Sequence, residues 1–384
     1  KASESSLWSD DSQDYLASNS LTTSSSIQSG DIQIQRGQLP IFIPSLASVP
    51  IGFKSQGGLE ADLAYAIANP SISFQSFFND CNILTTKGIN DDILKIKKHQ
   101  KKIKKFKPQI LIHLAAQPIV KDSYINTKET YETNILGSIE LLEMVKNISS
   151  IKHIIVFTSD KVYENLNATK LNESSNLGGI DPYSASKSSQ DIITRSYKES
   201  FFKGNKNVII VRAGNIIGGG DFSFSRLLPE VFFNLFIKKN KKIYIRNPNA
   251  IRPWQHILDV VSALLLIMDK FCKKIHHKTI IFNIGPNESS NIAVIKLIKI
   301  MSKRVKNLKY SKLQKKSFQE SKILKLSNKF ITKKTRWKPL LNLETAIKLT
   351  VDWYECSYKH PKKIFEFTIN QINSFLNKTN LKIK

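Results

Sequence analysis

The chain has 384 residues, 41% of them hydrophobic, and its 58 Lys and Arg against 31 Asp and Glu give a formal net charge of +27. That length can bury a large core in one domain or two, while no apolar run reaches the ~18 residues of a membrane span and no N-terminal stretch reads as a signal peptide. Cys81, Cys272 and Cys356 are far apart, without CxxC or metal-type spacing, which argues against a disulfide framework, predicts no metal site and fits a reducing, cytoplasmic setting.

A start at Lys1 in place of Met fits a fragment or a processed product. Residues 1–38 are rich in Ser, Asp, Gln and Thr with little periodicity, and read as a low-complexity, disordered segment. From residue 39 a mononucleotide-binding α/β fold would begin with a strand, a glycine-rich turn and a helix whose N-terminus holds a pyrophosphate. A short strand is expected around Ile41–Ile43, but prolines interrupt the region and a full GxxGxxG is absent. Gly52 in GFK, with Gly57 and Gly58 after it, is what remains of such a turn.

The run KIKKHQKKIKKFK, Lys95 to Lys107, places Ile96, Ile103 and Phe106 on a helical stripe beneath a basic face, read here as a solvated helix. The other lysines are spread through most segments with Ile and Asn as neighbours. The net charge therefore reads as a bias of the whole sequence, and no motif for nucleic acid accompanies it.

Lys107 and Pro108 lead into a buried strand, Ile110 to Leu114, ending in Ala115, Ala116 and Gln117. A helix follows with Ile135, Ile139, Leu142 and Val145 as its apolar stripe and Asn134 within it. The next strand, His153 to Phe157, ends in Thr158, Ser159, Asp160 and Lys161: hydroxyls, an acid and an amine at a strand end, where open α/β sheets hold ligands. Pro182 suits the first turn of a helix. Tyr183 and Lys187 then share one face, where a lysine ammonium can lower a tyrosine's pKa and make a phenolate base. A lone YxxxK or a lone TSDK is ordinary; together, after two buried strands, they mark a site.

Residues 207–214 read as a third buried strand, so the fold class is α/β with a Rossmann-like, doubly wound parallel sheet. Residues 39–214 form that domain, with a degenerate first βα unit, and residues 215–375 form mainly a smaller substrate-binding part. There Arg226, Arg246 and Arg252 are candidates for a diphosphate, because guanidinium groups fork onto phosphates. Asn283 to Pro286 reads as a strand and turn, residues 287–354 as helices with short connectors, and residues 376–384 as a frayed tail.

The segments KPQILIHLAAQPIV, TNILGSIELLE, TSDKVYEN, GGIDPYSASK, VRAGNIIGGGDF, RNPNAIRPWQH and FNIGP stand in an order and spacing that resembles the extended short-chain dehydrogenase/reductases. Within that superfamily they resemble the CDP-glucose 4,6-dehydratases, because TSDK stands where dTDP-glucose enzymes have TDE, and IRPWQH is present. The resemblance covers residues 107–375 and implies NAD as cofactor and CDP-glucose as substrate. It implies that Gly52, Ala115, Ala116, Gln117, Asn134, Tyr183 and Lys187 hold the cofactor. It implies that Tyr183 takes the C4 hydroxyl proton while Lys187 orients the ribose and Ser159 binds the same hydroxyl. It implies that Lys161, where neutral, removes the C5 proton, that Asp160, where protonated, donates to the departing C6 hydroxyl, and that Asn215, Arg226, Arg246, Arg252 and His256 bind the substrate. A homodimer through the helices near Asn134 and after Tyr183, and no membrane or nucleic-acid partner, belong to the same expectation. Three other readings stay open: an inactive relative without a competent NAD site, an epimerase of the same fold, and a basic nucleic-acid-binding protein.

Overall fold

Four apolar runs make the centre of a computed structural model that describes residues 41–43, 91–164, 170–223, 226–239, 242–305, 308–312 and 321–379. Gly52, the Gly57–Gly58 pair, the low-complexity segment and the last five residues lie outside the described residues. The described residues belong to one compact unit, residues 36–384.

The main sheet has the order β1-β2-β3-β4-β9. Its strands are β1 (Ile41–Ile43), β2 (Ile110–His113), β3 (His153–Phe157), β4 (Asn207–Ala213) and β9 (Ile280–Ile284). β2, β3, β4 and β9 are parallel, and β2, β3 and β4 are buried along their whole length, because helices cover both faces of a parallel sheet. Alternate residues point to opposite faces. Leu111, Ile154, Val156 and Val208 pack with Ile93, Ile96, Leu141 and Val145 on one side. Ile110, Ile155, Phe157, Val211 and Phe282 join a larger core on the other, which runs on to Trp353 and Phe375.

β1 forms where the sequence predicts a strand, but it pairs antiparallel to β2, Ile41 opposite Ile112 and Ile43 opposite Ile110. The chain leaving Ile43 therefore exits at the end of β2 opposite Ala115. A Rossmann first strand runs the other way, and delivers its glycine turn to the ligand end of the sheet.

The basic run becomes a 3-10 helix, Ile93–His99, continued by α1 (Gln100–Phe106). Its lysines face solvent over buried Ile93, Ile96 and Ile103, as the stripe predicts. After β2 come α2 (Val120–Ile125), α3 (Thr127–Tyr131), a single π turn (Glu132–Leu136) and α4 (Gly137–Lys146). α5 (Pro182–Phe201) begins where Asp181 accepts from Ser184 N, 2.8 Å, with Pro182 in the first turn.

The remainder carries β5 (Ile216–Ile217), α6 (Leu227–Phe236), β6 (Lys242–Ile245), β7 (Ile251–Pro253), β8 (Gln255–His256) and α7 (Ile257–Phe271). After β9 come β10 (Asn291–Ala293), α8 (Val294–Ser302), β11 (Lys309–Lys312), α9 (Lys329–Thr335), α10 (Leu343–Lys359) and α11 (Ile364–Leu376). Residues 287–354 are thus not helical throughout: β10 pairs with β7 and β11 with β6, because both runs sit beside strands with free edges. β9 returns from the second part of the chain to the main sheet.

Candidate active site

β3 ends at the carboxyl edge of the sheet, and the backbone turns there. Thr158 N donates to Val211 O (2.8 Å), and Ser159, in extended backbone, caps the 3-10 turn Asp160–Val162 by accepting from Lys161 N. This turn places an acid and an amine side by side over the sheet. Asp160 is 3% exposed. Its Oδ1 accepts from Ser159 Oγ (3.1 Å), and its Oδ2 is buried with no partner among the described residues. Burial raises its pKa, against the pull of the Lys161 and Arg252 cations. An acid in that position can keep its proton and deliver it.

Tyr183 lies across from this turn, buried at the head of α5, with its phenol hydrogen-bonded by the Ser159 hydroxyl. The serine hydroxyl thus stands between Asp160 and Tyr183, and its one hydrogen serves one of them at a time. Burial pushes the tyrosine up to about 12, with Asp160 and Asp181 adding to the rise and Ser159 and Arg226 opposing it. The expectation that Lys187 lowers this pKa is corrected here. Lys187 Nζ donates instead to Phe157 O (3.0 Å) and Gln190 Oε1 (2.5 Å). Its own burial brings it down to about 7, which the Asp191 carboxylate opposes.

Asn134 sits in the π turn, a local departure from α-helix that recurs at functional sites. Its Oδ1 accepts from Gln117 N (2.7 Å), and its Nδ2 donates to Gln117 O (3.0 Å) and Ser186 Oγ (2.9 Å). Asn134 therefore fastens the loop after β2 to α5. Ala115 and Ala116, at the end of β2, add little bulk to this loop. The two hydrogen bonds that Lys187 donates, to Phe157 O and Gln190 Oε1, leave one of its three N–H groups for a hydroxyl-bearing ligand.

Of the arginines, Arg226 and Arg252 are brought to the site: Arg226 acts on Tyr183 while paired with Asp221 (2.8 Å), and Arg252 is buried and acts on Asp160. Arg246 acts on Asp122 and Glu230 instead. Asn215, φ 47°, turns the chain after β4, and its carbonyl accepts from Gln255 N (3.2 Å). His256 is buried and caps α7, its Nδ1 accepting from Leu258 N (3.2 Å) and its Nε2 without a partner. Burial lowers it to about 3, so it is a neutral acceptor.

Sequence reasoning missed Gln190, Ser138 and His113 behind Lys187, Asp181 as the cap of α5, and Gly214. It also missed the buried Arg212–Asp191 pair that anchors α5 to β4. Gln190 and Asp191 follow Lys187 on the same helix, the one signal that pointed to them.

This sheet, with a buried strand-end acid beside a Tyr-x-x-x-Lys helix, defines an extended short-chain dehydrogenase/reductase type of α/β protein. Residues 80–350 match the family model described as GDP-mannose 4,6 dehydratase, and the chain belongs to that family. It is 37% identical over 204 residues to the CDP-glucose 4,6-dehydratase of Salmonella typhimurium, covering 51% of this chain and 56% of that protein. The dTDP-D-glucose 4,6-dehydratase of Dictyostelium discoideum is 36% identical over 207 residues, 50% of this chain and 45% of that one. The chain thus spans about half the length of these two curated relatives. Among solved structures, DesIV, the dTDP-glucose 4,6-dehydratase of Streptomyces venezuelae with NAD and TYD bound, superposes with a TM-score of 0.61 at 20% identity, over 71% of this chain and 81% of that one.

Proposed function

We propose that the chain is an NAD-dependent nucleotide-sugar 4,6-dehydratase with CDP-glucose as substrate. The observation that carries this is the buried acid: Asp160, with an unpartnered oxygen and a raised pKa, one serine hydroxyl away from Tyr183. An epimerase of this fold has no use for such a proton donor. The Salmonella relative supports CDP as the nucleotide, whereas the Dictyostelium relative carries the dTDP name.

The residues at the β2 end fit the nicotinamide ribose half of NAD, with the spare Lys187 N–H for a ribose hydroxyl and small side chains at Ala115 and Ala116. Bound NAD would supply the hydride acceptor for C4 and the hydride for C6, and a positive ring charge that would favour the Tyr183 phenolate. Tyr183 Oη removes the C4 hydroxyl proton. Ser159 donates to the phenolate before it takes that proton, once a protonated Asp160 no longer draws its hydrogen. The ketone at C4 acidifies C5, and Lys161, next to Asp160, takes the C5 proton. Asp160 gives its proton to the departing C6 hydroxyl, so water leaves and the acid ends ionised; with hydride returned to C6, Lys161 gives its proton back to C5, and the proton held by Tyr183 restores Asp160. Arg226 and Arg252 fork onto the diphosphate.

Homodimerisation through α4 and α5 is part of the proposal, supported by exposed Leu136, Ile192 and Phe201; so is a cytoplasmic location.

The antiparallel β1 favours a second reading, a folded relative that binds no NAD. Calorimetric titration with NAD, followed by CDP-, dTDP- or UDP-glucose and the alkaline ultraviolet absorbance of the enolised 4-ketone, separates the two. Binding with turnover of CDP-glucose supports the dehydratase. Folded protein that binds no NAD supports the second reading, and preference for dTDP- or UDP-glucose overturns the CDP assignment alone.

A further inference from the structure

Lys187 and Gln190 lie three residues apart on α5 and face inward together, 2% and 0% exposed. An ammonium has only donors, so the Gln190 amide must present its oxygen to Lys187 Nζ, and its nitrogen is left to face the other way. There it meets two groups from other elements. Nε2 lies 2.8 Å from Ser138 Oγ on α4 and 3.1 Å from His113 Nε2 at the end of β2. The Ser138 hydroxyl donates onward to Asn134 O, 2.7 Å, and so has its lone pairs free for Gln190. His113 Nε2 also lies 2.9 Å from Ser138 Oγ, so the three groups are in mutual contact; it accepts from Gln190 with its ring proton on Nδ1, a buried atom with no partner among the described residues. A charged His113 would set a second donor against the amide. Burial and the Lys187 cation hold its pKa at about 3, which keeps the ring neutral.

We propose that Gln190 is the positioning residue for Lys187: Ser138 and His113 fix its amide so that the oxygen holds the lysine ammonium in place. The proposal rests on the role given above to Lys187. Behind the lysine, side chains of β2, α4 and α5 form one closed hydrogen-bonded set that ends on the carbonyl of Asn134, the residue that fastens the cofactor-side loop. The position of the lysine is therefore set by a neutral acceptor, while burial and the Asp191 carboxylate act on its charge. The charged or titratable groups acting on it are Asp191 on its own helix and His113 on β2.

The test follows Lys187 itself and needs no turnover. The full chain is labelled with carbon-13 at the lysine ε positions, and Lys187 is assigned by its absence from the spectrum of Lys187→Met. In the parent protein this resonance titrates near 7, apart from the exposed lysines. Gln190→Leu removes the acceptor and lowers the midpoint by about 1 unit or more, while Gln190→Glu places an opposite charge there and raises it by about 1–3 units. Ser138→Ala frees the amide and lowers the midpoint by less. If Gln190→Leu does not fold, as judged by circular dichroism, Ser138→Ala carries the comparison. A Lys187 midpoint unchanged in the folded variants overturns the proposal. CDP-glucose turnover is measured separately, and an inactive parent protein sinks the functional reading while leaving the lysine titration to stand.

Discussion

Gly214 has no side chain because Asp160 occupies the space: a Cβ built on Gly214 would lie 2.0 Å from Asp160 Cγ and 2.1 Å from its Oδ2. The first residue after β4 thus makes room for the acid in the turn after β3. Gly214→Ala must displace the carboxylate or the backbone of β4, an overpacking that costs about 1–3 kcal/mol. Asp160→Ala in the same chain removes the clash, so the double variant recovers stability relative to Gly214→Ala. Urea denaturation of the four proteins in this cycle measures the coupling, and additive effects would refute the contact.

Asp160 binds its proton more tightly in the folded protein than in the unfolded chain, since burial raises its pKa above 3.8. Stability from this group is full below that value and is withdrawn as pH rises through the folded pKa. Asp160→Asn is spared the loss. It therefore melts higher than the parent near neutral pH, and the difference closes below about pH 4. The same variant loses dehydration, because an amide delivers no proton. Paired thermal melts at the two pH values, read beside turnover, check both halves.

Tyr183→Phe keeps the ring and removes the oxygen hydrogen-bonded by Ser159. Turnover of CDP-glucose falls about 10²–10⁴-fold, the usual contribution of a positioned acid–base group. Substrate affinity by calorimetry stays within about threefold of the parent. Loss of affinity with turnover intact would assign the tyrosine to binding.

Arg212 is buried and bidentate on Asp191, 2.8 and 2.9 Å, and also donates to Tyr163 Oη (3.0 Å). Arg212→Met leaves Asp191 with Arg195 at 3.1 Å as its one remaining ion-pair partner. A loss of about 3–5 kcal/mol is expected for uncovering a buried charge. Adding Asp191→Asn restores part of it, because no charge is then stranded. Guanidinium denaturation of both variants tests this.

Much of the fold is written locally. Runs such as ILIH, HIIVF and NVIIVRA are too short and too apolar for anything but buried strands, and the stripe of Ile96 and Ile103 under lysines declares a helix. The strand-end cluster and the Tyr183–Lys187 pair were equally legible, since each lies within a few residues of chain. The direction of β1 was not, because three residues, IFI, read the same parallel or antiparallel. The partners of Lys187 were not either. His113, Ser138 and Gln190 come from three elements, and each alone resembles an ordinary strand or helix residue. The tyrosine's pKa also escaped, because it depends on how deeply the phenol is buried and on the acids beside it.

The π turn at Glu132–Leu136 sits where one stretch of chain serves three neighbours. Thr130 and Asn134 hold the loop after β2 through Gln117, Ser138 meets Gln190 of α5, and Leu141, Leu142 and Val145 pack in the core against the sheet. These positions recur every three or four residues, so they form a single stripe along the segment. The stripe works as a common splice, and a fault in it would be felt in loop, helix and core at once.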